Sequence, residues 1–191
     1  MMMKDKKIIL ASNSPRRREL LAGLDITFEV RVLPGIEESY PEGLSAASTA
    51  EYIADEKARA YEGSIAEDEV VITADTIVVV DNEILGKPQD AEDACRMLRK
   101  ISGRTHQVIT GVCLMSAGKK RTFSVSTDVT FKELTAEEID YYVENYRPFD
   151  KAGAYGIQEW IGYVGVTNLS GSYFNVMGLP VQRIYSELQK L

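Results

Sequence analysis

KIILASNSPRRRELLAG, residues 7–23, decides the fold class. Residues 7–12 are a short apolar run that reads as a strand. Ser14 then stands where an N-cap belongs, and Pro15 takes the first helical position, where a missing N–H costs nothing. Gly23 is the expected stop. Strand-like and helix-like stretches keep alternating beyond it, which predicts an α/β protein with a mixed sheet.

The same junction packs three arginines into the first turn of the helix. A strand feeding a serine-rich turn leaves several backbone N–H groups unpaired at the helix start, where the dipole adds partial positive charge. That is an anion site in outline. At about 100° per residue, Arg17 falls on the centre line of the face defined by Leu20, Leu21 and Leu24, Arg16 on its flank and Arg18 toward solvent. Arg16 and Arg17 therefore line a cleft at the core edge or pair with carboxylates.

The rest of the composition narrows the class. With 22 Lys and Arg against 29 Asp and Glu, the net charge is −7, which argues against a coat for nucleic acid or an anionic membrane. The 191 residues, 45% hydrophobic and 27% charged, suit one globular domain over residues 1–191, with two lobes at most. The N-terminal apolar stretch is too short for a signal-peptide core or a membrane span, so the chain is expected in the cytosol. Cys95 and Cys113 lack metal-ligand or disulfide spacing and read as small hydrophobes. His106 is the only histidine, which excludes a histidine-based metal site or triad.

Further elements follow from periodicity and caps. A helix is expected from near Ser48 and Thr49 through Ala60, and a strand run over residues 70–80. Asp81 and Asn82 form a turn before Ile84, and Asp90 caps a helix that Gly103 ends. A strand pair is expected over residues 107–115 and 122–131. Thr135 and Glu138 form a capping box for a helix with Ile139, Tyr142, Val143 and Tyr146 inward. Residues 151–178, rich in glycine and aromatics, read as strands and tight turns, and Pro180 starts a terminal helix.

Asp75 is the most informative carboxylate. It interrupts VVITADTIVVV, a run apolar enough to be a buried strand, and an unpaired buried charge is costly. A metal ion, a nearby cation or a polarised water would each satisfy it, and a strand-end carboxylate suits a general base or metal ligand. Lys57 rides the apolar face of its helix, where a lysine either snorkels or serves a site. Glu37 and Glu38 offer oxygen ligands for Mg²⁺. Lys87 follows Gly86 in a turn that lacks the glycine spacing of a P-loop, leaving Lys87 as a phosphate contact. Ser12 and Ser14 have no histidine base and read as anion-binding or capping hydroxyls.

With those residues in hand, the chain resembles the Maf family of nucleoside triphosphate pyrophosphatases. The resemblance rests on residues 10–21, 56–58, 74–76, 87–88, 102–106, 150–158 and 171–180, in order and over nearly the full length. It implies an elongated, two-lobed α/β fold of the inosine-triphosphatase-like type, with a central mixed sheet and a deep cleft. It implies metal-dependent hydrolysis of a nucleoside triphosphate to the monophosphate and pyrophosphate, with Mg²⁺ or Mn²⁺ as the divalent cation. By the family motif Asp75 is the proton acceptor, Ser12, Arg16, Arg17, Lys57, Lys87 and Gln158 bind substrate, and Glu38 joins Asp75 at the metal. Arg16, Thr76 and Gln158 are similar to the group that cleaves dTTP and UTP, with modified uridine and cytidine nucleotides as further candidates. A homodimer is implied by the resemblance alone, and no membrane or nucleic-acid polymer partner is expected.

Each cationic contact to a triphosphate is worth about 1 to 4 kcal/mol, depending on local dielectric. Gln158 offers one acceptor and one donor, which suits the N3–H and O4 edge of uracil or thymine. The alternative function is a nucleotide-binding regulator of septum formation without essential turnover. A pure sensor needs the cations but gains little from Asp75.

Overall fold

The computed structural model describes residues 6–36 and 38–191. In chain order the elements are β1 (Lys7–Leu10), α1 (Pro15–Ala22), β2 (Phe28–Val30), α2 (Ala46–Arg59), β3 (Glu69–Val80), β4 (Glu83–Leu85), α3 (Ala91–Ile101) and β5 (Thr105–Ser116). They continue with β6 (Lys119–Phe131), α4 (Ala136–Tyr146), a 3-10 turn (Ala152–Ala154), α5 (Trp160–Gly165), β7 (Val166–Ser170), α6 (Tyr173–Met177) and α7 (Val181–Leu188). Among the described residues one mixed sheet orders the strands β2-β1-β3-β5-β6-β7, with β4 hydrogen-bonded to β3. β1 is parallel to both neighbours, Leu10 lying opposite Val30 and Ile72, whereas β4 and β7 run antiparallel to their partners.

The chain forms two compact units, and β3, β5 and β6 each pass from one to the other. The first runs through Asp75 and adds Thr110–Val125 and Gly178–Leu191; the second holds Thr76–Ile109 and Ser126–Met177. In the first unit the apolar stripe of α2 (Ala50, Ile53, Ala54, Ala58) is buried. Ala54 and Ala58 pack with Ile9, Tyr61, Val71, Cys113 and Met115. The helix lies hard against β5, because a Cβ built on Gly111 would stand 2.1 Å from the Ala50 carbonyl oxygen. Thr73 of β3 donates its hydroxyl to the Ala54 carbonyl at 2.6 Å. These contacts fix the height and rotation of α2 over the sheet, and with them the direction of Lys57.

The second unit has its own core, in which Val78, Leu98, Val129, Phe131, Tyr142, Tyr155 and Ile161 meet. The hairpin between β3 and β4 turns on Asp81 and Asn82, both left-handed at φ 50 and 63, as a tight primed turn demands. Thr135 and Glu138 form the expected capping box of α4.

Five expectations need correction. Asp75 is not at a strand end: β3 runs unbroken over Glu69–Val80, because the Lys57 ammonium, 2.8 Å from Asp75 Oδ1, satisfies the charge within the strand. α2 starts at Ala46, earlier than expected, because the Ser45 hydroxyl accepts from the Ser48 N–H at 3.2 Å. α1 ends at Ala22 with Gly23 as its right-handed C-cap, so Leu24 lies past the helix and is half-buried. Tyr146 is 37% exposed, since at the last turn of α4 it stacks on Tyr142, with centroids 5.1 Å apart, instead of entering the core. Residues 151–178 hold one strand, β7, and otherwise form short helical turns. Glycine lets the chain turn back within five or six residues there, too few for a helical period to show in the sequence.

Candidate active site

In the first unit, the link from β1 to α1 is built by serines. Ser12, 8% exposed, accepts from the Ser14 N–H at 3.2 Å. Ser14 in turn caps α1 by accepting from the Arg17 N–H. The cap sets the helix phase and therefore the fate of each arginine. Arg16 and Arg17 are half-buried and Arg18 is exposed, the order given by the helical wheel. Among the described residues, the Arg18 guanidinium donates to the Asn13 side chain, at 3.3 Å.

Arg17 turns inward onto two backbone carbonyls. Its Nε donates to Gly178 O and its Nη1 to Ala74 O, each at 2.8 Å. Burial pulls this guanidinium below its ordinary pKa, while the charges of Asp75 and Glu38 push the other way and Arg16 adds to the lowering. A guanidinium stays charged through such shifts.

Asp75 and Lys57 form the centre. The Lys57 ammonium lies 2.8 Å from Asp75 Oδ1 and 2.8 Å from Glu38 Oε1, and donates more weakly to Ala74 O at 3.5 Å. The side chains of Lys57 and Asp75 are 14% and 13% exposed, against 50% for Glu38. Of the partners that would satisfy Asp75, the structure supplies a cation: the lysine on the apolar face of α2 has turned its amine to the strand. A shielded pair of this kind costs several kcal/mol to break from one side, because the remaining charge stays buried.

Arg17, Glu38, Lys57 and Asp75 are thus brought together, with Ser12 at the turn before them and Arg16 beside Arg17. Glu37 lies outside the described residues. Thr76, Lys87 and Gln158 belong to the second unit. Thr76 is half-buried next to Asp75 on β3, and Lys87 is exposed in the turn after β4. That turn is tied to the 3-10 segment by the Gly153 N–H on Gly86 O at 3.0 Å. Gln158 is half-buried, and its Oε1 is buried without a hydrogen-bond partner among the described residues. His106 is buried, with Nε2 2.6 Å from the Tyr155 hydroxyl, and burial pulls its pKa down to about 4. Burial pushes the Cys113 thiol up to about 11, which keeps it an inert hydrophobe.

The carbonyls of Ala74 and Gly178 that hold Arg17 are not legible in the sequence. A carbonyl has no sequence signature, and Gly178 lies far along the chain from Arg17.

Among the described residues no cluster of three or more His, Cys, Asp or Glu is arranged to hold a metal. Glu38 and Asp75, however, converge on one point of positive charge, the Lys57 amine. Mg²⁺ is commonly held by one or two carboxylates plus substrate phosphates instead of a full protein cage. The donor set fits a cation that arrives with a triphosphate.

The family model described as "Maf-like protein" matches residues 7–191. The chain is 64% identical to a dTTP/UTP pyrophosphatase of Phocaeicola vulgatus, over 97% of this chain and 96% of that one. It is 57% identical to a dTTP/UTP pyrophosphatase of Porphyromonas gingivalis, over 98% and 95%. Among solved structures it is similar to a HAM1 protein from Coxiella burnetii, with TM-score 0.49, 15% identity and coverage of 97% and 100%. With a match across 7–191 and relatives above half identity along nearly the whole chain, the motifs that converge on Asp75 find their family: the chain belongs to the Maf-like proteins.

Proposed function

We propose that this chain hydrolyses nucleoside triphosphates to the monophosphate and pyrophosphate, with dTTP and UTP as its preferred substrates. The single observation that carries the reading is the convergence of Arg17 and Lys57 on the Ala74 carbonyl, with the Asp75 carboxylate on the next residue. Relatives at 64% and 57% identity are named dTTP/UTP pyrophosphatases, which supports the choice of nucleotide.

In the reaction, a water oxygen attacks the α-phosphorus and the bond from that phosphorus to the bridging oxygen breaks. The bond's electron pair leaves with pyrophosphate, and the water proton passes to Asp75 Oδ. Arg16, Arg17 and Lys57 neutralise phosphate oxygens, and Lys87 is assigned a further phosphate contact. Arg17 is held by two carbonyls and needs little reorganisation to meet developing charge. Ser12 and the start of α1 offer hydroxyl and N–H donors to the same anion. When bound, Mg²⁺ or Mn²⁺ would be held by Glu38 and Asp75 and would supply charge neutralisation at the triphosphate. Gln158 reads the base edge and shares nucleotide choice with Arg16 and Thr76.

Residues 1–191 act as one catalytic domain. Among the described residues no helix is long and apolar enough to cross a membrane; a cytosolic location and a homodimer are part of this proposal. The test is a pyrophosphate-release screen across canonical and modified nucleotides, with and without Mg²⁺. Pyrophosphate from dTTP and UTP is the expected result. Orthophosphate with a nucleoside diphosphate overturns the reaction class, and binding without turnover favours the regulator.

A further inference from the structure

The turn that carries Gln158 is clamped from several sides within the second unit. Tyr142 of α4, fully buried, accepts the Gly156 N–H on its hydroxyl oxygen at 3.0 Å and donates that hydroxyl to Glu159 Oε2. The other oxygen, Glu159 Oε1, lies 3.1 Å from the ammonium of Lys151, whose side chain is 10% exposed. That ammonium also lies 2.9 Å from Asp150 Oδ1.

The backbone closes the same loop. The Glu159 N–H donates to Gly156 O at 3.0 Å, and the Gly162 N–H to Glu159 O at 2.9 Å. A Cβ on Gly156 would stand 3.0 Å from Lys151 Cε, and one on Gly162 only 1.8 Å from the Ile157 carbonyl oxygen. Residues 156–159 are thus fixed at both ends, with Gln158 between them and its Oε1 buried without a partner among the described residues.

A buried acceptor without a partner is destabilising until a donor reaches it. The N3–H of uracil or thymine would satisfy it, whereas N3 of cytosine is itself an acceptor and requires the amide turned over.

We propose that Tyr142, Glu159 and Lys151 are positioning residues that hold the Gln158 turn in one conformation, and so set the discrimination of uracil and thymine from cytosine. The inference rests on the reading of Gln158 as the base contact. The network touches the neighbours of Gln158 and not its amide, so it acts through the backbone. A loosened turn lets the carboxamide flip, and dCTP then gains relative to dTTP.

The test measures kcat and KM on dTTP and dCTP for the wild type, Tyr142→Phe, Glu159→Gln, Gln158→Ala and the Tyr142→Phe/Gln158→Ala double variant. Tyr142→Phe is expected to lower the dTTP-to-dCTP ratio of kcat/KM about tenfold, through KM on dTTP, with kcat on dTTP within about twofold. In the Gln158→Ala background the same substitution changes the ratio no further, since the two act as one unit. An unchanged ratio, equal losses on both nucleotides or full additivity with Gln158→Ala overturns the proposal. Should Tyr142→Phe fail to fold, Glu159→Gln, which keeps size and loses charge, carries the same comparison.

Trp160, the single tryptophan, adjoins Glu159, and its ring centroid lies 4.8 Å from that of Tyr141. Its fluorescence reports the dTTP-to-dCTP ratio of binding constants without turnover. A protein that releases no pyrophosphate yet shows this ratio fall in the variants sinks the hydrolase reading alone. A protein that turns over dTTP with the ratio unmoved sinks the network alone.

Discussion

Ala74 accepts hydrogen bonds from Arg17 and Lys57 through one carbonyl, and the next residue is the carboxylate that pairs with Lys57. Three charged groups are therefore indexed to one peptide unit, which is how the first unit keeps its opposite charges in register. Asp75→Asn keeps the shape and loses the proton acceptor. Turnover of dTTP should drop about a hundredfold to ten-thousandfold while calorimetry still detects nucleotide binding. Arg17→Ala should raise KM and lower kcat far more than Arg18→Ala, whose exposed guanidinium meets the Asn13 side chain; steady-state kinetics on the two variants decides it. Arg17's inward turn was legible because α1 has a defined phase from Ser14 and Pro15. Its anchor on Gly178 was not, since long-range carbonyl contacts leave no periodicity. Nor was the ion pair from Glu38 to Lys57, because a glutamate in a loop reads as solvated until the fold brings a cation to it.

α2 carries Lys57 and is seated by Gly111 and Thr73 at its contacts with the sheet. Gly111→Ala would drive a methyl into the Ala50 carbonyl, displacing the helix. The expected loss is at least about 3 kcal/mol by urea denaturation, with activity falling alongside. On β5, His106 is buried neutral against Tyr155 and Phe131, with its pKa pulled down to about 4 by burial. The unfolded chain, with an ordinary histidine near 6.5, binds the proton first, so stability is full above about pH 6.5 and falls as pH drops toward about 4. Denaturation at both ends of that window should show a loss on the order of 3 kcal/mol, which His106→Phe reduces. Elements with strong caps or long apolar runs, such as β3 and α4, were readable from sequence. β2, three residues of which none is buried, and α5 and α6, six and five residues long, are too short for a period to emerge. Tertiary contacts decide them.

At the scale of the whole molecule, a chain of net charge −7 binds an anion by concentrating a few cations, with no overall basic field. The family is legible in that locality, in stretches running from residues 10–21 to 171–180, and not in the total charge. The two units share three strands, an arrangement invisible in the linear sequence because no linker marks it. In the proposed reaction Arg17, Lys57 and Asp75 direct water onto the α-phosphorus of a triphosphate. Phosphorus NMR of dTTP turnover in heavy-oxygen water tests it most directly. Attack at that phosphorus leaves pyrophosphate free of label and puts all the heavy oxygen in the nucleoside monophosphate. Label in pyrophosphate, or orthophosphate released with a nucleoside diphosphate, would contradict it.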